Sequence, residues 1–267
     1  MMLLKSLRVR LAQGRQYIPD LRTAVPAGFR GLPAISATPC EAGCEACRDE
    51  CPTDAIALAP VRLDLGKCVF CGLCAEVCPG QKFAFTPAPQ MAARHPDHLV
   101  IREGAPAPQV ARDPDLARIF GRSLKLRQVS AGGCSACELE LNALANVNFD
   151  VQRFGIEWVA SPRHADGLVL TGPLTANMRI AVRLAWDAMP EPRFVVAVGA
   201  CAISGGLYRD AHALDRTFLD EGIPVLLVPG CPPHPLTFVH AILDLLGKPA
   251  RSEQICPAGQ TAPFTTA

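Results

Sequence analysis

Eight cysteines between Cys40 and Cys78 constrain this chain more than any other feature. The first run is Cys40, Cys44, Cys47 and Cys51, closed by Pro52; the second is Cys68, Cys71, Cys74 and Cys78, closed by Pro79. Cys44, Cys47 and Cys51 recur 27 positions later and Cys40 recurs 28 later, so the first run carries one extra residue after its first cysteine. The second run is C-x2-C-x2-C-x3-C-P, the spacing that holds bacterial [4Fe–4S] clusters, in which the fourth cysteine ligates the neighbouring cluster. Crossing the fourth ligands predicts one set of Cys40, Cys44, Cys47 and Cys78, and a second of Cys68, Cys71, Cys74 and Cys51. Zinc sites use Cys-x2-4-Cys pairs separated by a longer loop, which leaves the triple spacing and the repeated Cys-Pro unaccounted for. Thiolates are soft ligands suited to iron–sulfur chemistry, and neither run contains a histidine.

With 267 residues the chain has room for one or two domains. A net charge of +1 gives no pointer to nucleic acid or to an anionic membrane surface. Thirteen cysteines at ligand spacings, in a chain of this length, argue against a secreted disulfide scaffold and for a reducing compartment. No segment reaches the ~20 apolar residues of a membrane helix. The start is apolar but broken by Lys5, Arg8 and Arg10. It reads as a short basic amphipathic helix, not a signal peptide, docked on protein in preference to the lipid interface.

The chain divides into five stretches. Residues 1–31 are the N-terminal helix and a Pro/Gly-rich lead-in. Residues 32–86 form a two-cluster ferredoxin-like α+β domain, whose small core implies that bound metal supplies folding energy. Residues 87–123 form a linker or irregular strap without regular elements, since Pro87, Pro89, Pro96, Pro106, Pro108 and Pro114 remove backbone donors and disfavour helix. In 124–247, short apolar runs at Leu126–Ala131, Gly167–Thr171, Phe194–Gly199 and Pro224–Pro229 alternate with helical patterns at Glu138–Ala145, Asn177–Ala188 and Pro235–Leu246. Runs of this kind are strands buried on both faces, and the alternation predicts a doubly wound α/β domain with a parallel sheet. Residues 248–267 are a polar tail carrying Cys256, a bystander.

Four more cysteines fall just past the carboxyl ends of those strands. Cys134 and Cys137 follow the first, Cys201 the third and Cys231 the fourth. That edge is where open α/β sheets bind ligands. Four thiolates match the count for one further [4Fe–4S] cluster, giving three clusters in all, and glycines beside them permit tight turns.

The motifs at 160–172, 198–206 and 228–233 resemble the small cluster-bearing subunit shared by respiratory complex I and complex I-related membrane-bound nickel–iron hydrogenases, including formate hydrogenlyase. Residues 1–86, with the Gly28-Phe29-Arg30-Gly31 lead-in, resemble the two-cluster ferredoxin subunit of the same complexes, so the chain looks like a fusion of the two. The resemblance implies a flavodoxin-like second domain and a terminal cluster held by Cys134 or its neighbour, Cys137, Cys201 and Cys231. It also implies a large-subunit partner of the hydrogenase or complex I type, further subunits of a membrane-bound complex, and a peripheral place on the cytoplasmic face of the inner membrane. Complex I subunits have tandem Cys-Cys at the first site. Cys134-Ser135-Ala136-Cys137 has the hydrogenase spacing instead, and Glu138 and Glu140 match acidic positions of that branch.

Glu138 is either a proton relay toward the partner or a carboxylate favoured at a helix N-terminus; Glu140 reads as helix surface. Arg163 either raises the potential of the nearby cluster or pairs with Asp166, the reading preferred here. His164 and His234 are not expected as ligands. No G-x-G-x-x-G or Walker pattern appears, so direct binding of NAD or ATP is not expected. The expected role is an electron-transfer subunit whose chemistry is completed in another chain. The alternatives are a protein like the small subunit of NADH-quinone oxidoreductase, passing electrons to quinone, and a free ferredoxin-type carrier.

Overall fold

The computed structural model describes residues 2–14, 17–223 and 225–248. The basic N-terminal stretch forms helix α1 (Met2–Gln13). Its Leu4, Leu7, Val9 and Leu11 are all exposed, Leu11 to 80%, so these four side chains are not packed into their own domain. The lead-in then lies across the C-terminal half. Leu21 is fully buried, the Ile18 amide donates to the Asn148 carbonyl at 2.9 Å, and Arg22 pairs with Asp244.

The cysteine runs build a small unit with two-fold internal repetition. Strands β1 (Pro33–Ile35) and β4 (Phe83–Phe85) pair antiparallel, with Ala34 opposite Ala84. Between them stand α2 (Ala46–Asp49), β2 (Ile56–Ala57), β3 (Arg62–Asp64) and α3 (Leu73–Glu76). The two short helices are offset by the same 27 positions as the cysteines and carry Cys47 and Cys74 on equivalent turns.

The proline-rich stretch is not the element-free strap expected from its composition. It contains a 3-10 turn, Pro96–Leu99, and strand β5 (Val100–Arg102), which pairs antiparallel with β3 so that Ile101 faces Leu63. Its prolines flank these three residues without interrupting them, and an edge strand needs backbone partners on one side only. Leu99, at 1% exposure, anchors the turn. Further back, Ala93 exchanges two backbone hydrogen bonds with Leu227, at 3.1 and 2.8 Å. Helix α4 (Pro114–Phe120) follows, capped by the Asp113 carboxylate.

The remaining elements are β6 (Leu124–Ser130), α5 (Ala136–Ala143), β7 (Ile156–Trp158), β8 (Gly167–Thr171), α6 (Arg179–Asp187), β9 (Phe194–Val198), α7 (Ala200–Ser204), β10 (Val225–Val228) and α8 (Pro235–Leu245). The five strands are all parallel in the order β10-β9-β8-β6-β7. Counted within the domain this is 2-1-3-4-5, the flavodoxin-like order, with its switch point between β6 and β8. Strand alternation separates two faces. Val169, Val196, Val198, Leu226 and Val228 share a core with Leu141 and Leu144 near α5 and with the buried length of α8. Leu168, Leu170, Val195 and Ala197 share the other core with Val182 and Trp186 of α6, with Leu63 and Leu65 of the cysteine-rich unit and with Leu99 of the proline-rich stretch. The cysteine-rich unit thus covers part of one sheet face, where a doubly wound domain alone would place only helices.

Candidate iron–sulfur sites

The structure brings seven of the first eight thiols near one another across the repeat: Cys40, Cys47, Cys51, Cys68, Cys71, Cys74 and Cys78. Burial, then the neighbouring Cys78 and Cys40, push the Cys47 thiol up from its ordinary pKa. Burial raises Cys68 to about 12, with Cys74, Cys51 and Cys71 adding to the effect. Cys74 is raised to about 11 by burial and then by Cys71, Cys51 and Cys47. Cys47 thus neighbours the last cysteine of the second run, and Cys68 and Cys74 the last cysteine of the first, while Cys74 also neighbours Cys47. Cys51, Cys68, Cys71 and Cys74 also line one cavity, walled by Ile56, Leu63 and Phe85.

Thiols that hinder one another's ionisation in an apolar recess do not become thiolates together without a cationic centre. An iron–sulfur core would supply that centre. The backbone offers the matching second contacts: the amides of Ala55, Phe70 and Lys82 donate to the sulfurs of Cys51, Cys68 and Cys78, each at 3.3 Å. Hydrogen bonds to cluster sulfurs are a principal means of tuning such centres. Among the described residues, no group of three or more His, Cys, Asp or Glu is gathered so as to hold a single metal ion.

The third group forms at the carboxyl edge of the parallel sheet. Cys134 lies in the turn after β6, Cys137 in the first turn of α5, Cys201 in α7 directly after β9, and Cys231 in the turn after β10. Burial raises Cys137 to about 12, followed by Glu138, Cys201, Cys231 and Cys134. Burial raises Cys201 to about 11, followed by Cys231 and Cys134. The turns approach closely because they lack side chains. A Cβ on Gly199, at φ +91°, would stand 2.7 Å from the Cys137 sulfur, and one on Gly172 would stand 2.5 Å from the Gly133 nitrogen. The second contact joins the turns after β6 and β8, at the switch point.

Glu138 faces inward: its carboxylate accepts a hydrogen bond of 2.7 Å from Thr171 Oγ1, at the fully buried end of β8. Glu140 is half-buried and its carboxyl is raised by burial, so it is not the plain surface residue expected. The preferred pair of Arg163 and Asp166 is absent among the described residues. The Asp166 carboxylate instead accepts from the Lys125 amide at 2.7 Å, tying the start of β8 to β6, while Arg163 and His164 are exposed. His234 caps α8, its Nδ1 accepting from the Leu236 amide at 3.1 Å. Its ring lies 4.8 Å from that of Phe29. Cys256 and the tail from residue 249 lie outside the described residues.

Two arginines at these sites escaped sequence reasoning. Arg30 donates to the carbonyls of Phe70 and Cys71, its guanidinium against Gly72; its place in the Gly28–Gly31 motif was the available signal. Arg216 reaches the carbonyls of Cys201, Ala202 and Ile203, and nothing local in sequence marks it. The two halves meet beside these groups, where Gly66 packs on Ile203 and Arg209 pairs with Asp54.

Comparison with known proteins places this geometry. The model of the NADH ubiquinone oxidoreductase 20 Kd subunit family matches residues 134–245, and that of the 4Fe-4S binding domain matches residues 61–81. The probable membrane-bound hydrogenase subunit mbhJ of Pyrococcus furiosus is 38% identical over 141 residues, covering 52% of this chain and 84% of its own length. Formate hydrogenlyase subunit 7 of Escherichia coli is 39% identical over 133 residues, covering 49% of this chain and 52% of its own. An NADH-quinone oxidoreductase subunit of Citrifermentans bemidjiense is 40% identical over 117 residues, covering 43% of this chain and 68% of its own.

Proposed function

Because the chain belongs to the NADH ubiquinone oxidoreductase 20 Kd subunit family, we propose that it is the electron-transfer subunit of a complex I-related nickel–iron hydrogenase of the formate hydrogenlyase type. In this chain that subunit is fused to a two-cluster ferredoxin unit. The observation that carries the reading is the meeting of Cys134, Cys137, Cys201 and Cys231 at one sheet edge, next to a packed ferredoxin half.

Three [4Fe–4S] clusters would be held by Cys40, Cys44, Cys47 and Cys78; by Cys51, Cys68, Cys71 and Cys74; and by Cys134, Cys137, Cys201 and Cys231. When bound, they take up and release single electrons. The chain's own residues bury Cys47, Cys68 and Cys74 and donate amides to the sulfurs of Cys51, Cys68 and Cys78. The contacts of Gly66 with Ile203 and of Asp54 with Arg209 support an order in which the set with Cys51 and Cys68 is the one next to the set on the parallel sheet. Glu138 carries a proton on its carboxylate toward the partner's active site, a role supported by its hydrogen bond from Thr171 beside Cys137.

The partner is a hydrogenase-type large subunit, with other subunits of a membrane-bound complex. No described helix is long and apolar enough to cross a membrane, and the chain is assigned to a peripheral position on the cytoplasmic face. The spacing Cys134-Ser135-Ala136-Cys137 favours hydrogen chemistry over quinone reduction. The likeness to a subunit of NADH-quinone oxidoreductase supports the second reading, in which the partner holds a quinone pocket. Gas-exchange measurements on the anaerobically purified complex decide between them. Hydrogen evolution or uptake is expected; quinone reduction without hydrogen exchange establishes the second reading, and absence of any co-purifying large subunit points to a free carrier.

A further inference from the structure

Arg216 is a cation set in the wall of the third cysteine group. It lies in the loop before β10, and burial holds its guanidinium below the usual arginine range. Among the described residues it forms no ion pair. Its partners are carbonyls: Nη1 donates to Cys201 at 3.0 Å and Pro173 at 3.4 Å, and Nη2 donates to Ala202 at 2.8 Å and Ile203 at 2.7 Å. Three of these belong to consecutive residues of α7: the Cys201 carbonyl also accepts from the Gly205 amide at 2.9 Å, whereas those of Ala202 and Ile203 lie in the last turn, where carbonyls run out of helical donors. A half-buried guanidinium with carbonyl partners only retains its full positive charge, since arginine does not deprotonate in proteins. Asp220 and the Cys201 sulfur lie close enough to act on that charge, and Arg216 in turn favours ionisation of the sulfur.

We propose that Arg216 is a positioning residue for the third cluster: it locks the turn that presents Cys201, and its fixed charge raises that cluster's reduction potential. The inference rests on the assignment of Cys134, Cys137, Cys201 and Cys231 as ligands. Four thiolates around an iron–sulfur core carry net negative charge, and reduction adds one electron to it. A nearby cation therefore stabilises the reduced form more than the oxidised one, and net charge near the cluster is one of the terms that set its potential. Ile203, whose carbonyl Arg216 holds, is also the residue that packs on Gly66 of the ferredoxin unit. One side chain thus fixes both the ligand turn and its contact with the neighbouring cluster's domain.

The test is an anaerobic redox titration of the full chain in its complex, followed by electron paramagnetic resonance. The third cluster's signal is identified as the one lost in Cys231→Ser. In Arg216→Met, at unchanged iron content, the ratio of reduced to oxidised third cluster at a fixed potential should fall about tenfold or more, equivalent to about 59 mV for one electron. The other two signals should stay in place. An iron-replete Arg216→Met with an unmoved third signal overturns the proposal. Arg216→Lys keeps the charge but cannot span three carbonyls. It should keep the potential within a factor of about three while lowering the thermal midpoint, and a tenfold shift there would also overturn the charge assignment. If Arg216→Met fails to load the third cluster, the lysine variant decides by the same criterion. Absence of a third signal in the unmodified chain would instead defeat the ligand assignment.

Discussion

A methyl group added to Gly66 would stand 2.9 Å from Cγ2 of Ile203. Gly66 lies two residues before Cys68 and Ile203 two after Cys201, so this contact joins the two halves between their cysteine groups. Asp64 Oδ1 and a Leu99 methyl carbon, at 3.1 and 3.3 Å from the same point, leave little room to yield. Gly66→Ala should therefore overpack the junction, with a cost of about 1–3 kcal/mol, seen as a lower thermal midpoint with iron content retained. Electron exchange between the halves should slow in the same variant. An unchanged midpoint would show that the junction is looser than the contact implies.

How much of this was readable in the sequence follows from how local each signal is. Gly167–Thr171 and Phe194–Val198 announce themselves because strands buried on both faces need apolar residues at every position. Strand β7, Ile156–Trp158, is three residues long at the sheet edge and leaves no pattern of its own. Strand β5 lay hidden among prolines that flank it. The two cysteine runs at 40–51 and 68–78 stand out because their spacing is a local property, whereas Arg216 meets carbonyls 13–15 residues away through a loop without a motif. The packing of the ferredoxin unit on the sheet had no signal either, because the inner faces of β8 and β9 read the same whether a helix or a second domain covers them.

Cys231→Ser should abolish one cluster's signal and leave the other two, with a loss of about four irons per chain. Unchanged iron content in the folded variant would remove Cys231 from the ligand set.

Asp113 caps α4 by accepting from the amides of Leu116 and Asp115, at 3.0 and 3.1 Å, and pairs with Arg94 at 2.9 Å. The Leu116 amide is the main reason its carboxyl lies below the usual range, with Arg94 helping. A depressed folded pKa stabilises the fold above the unfolded carboxyl's pKa of about 3.9, and the benefit is lost as pH falls through the folded value. Asp113→Ala should cost about 1 kcal/mol at neutral pH. Thermal midpoints of the two proteins should converge in acid.

His240 is 2% exposed. Its Nε2 donates to the Leu21 carbonyl at 2.9 Å, and Gln90 Nε2 lies 3.3 Å from its Nδ1, so the neutral ring joins α8 to the lead-in and to the proline-rich stretch. Burial, then the charge of Arg22, hold its pKa below the ordinary value, against weaker opposing effects of the Leu21 carbonyl, Asp244 and Asp20. The unfolded chain therefore takes up this proton first, and stability falls as pH drops below about 6.5. His240→Gln should make the thermal midpoint less dependent on pH between neutrality and mild acid. An equally steep dependence would place the titrating group elsewhere.

Iron and acid-labile sulfide content of anaerobically purified chain tests the central claim most directly. Three [4Fe–4S] clusters predict about twelve irons per polypeptide. A saturating value of about eight or fewer in fully folded protein would contradict the account.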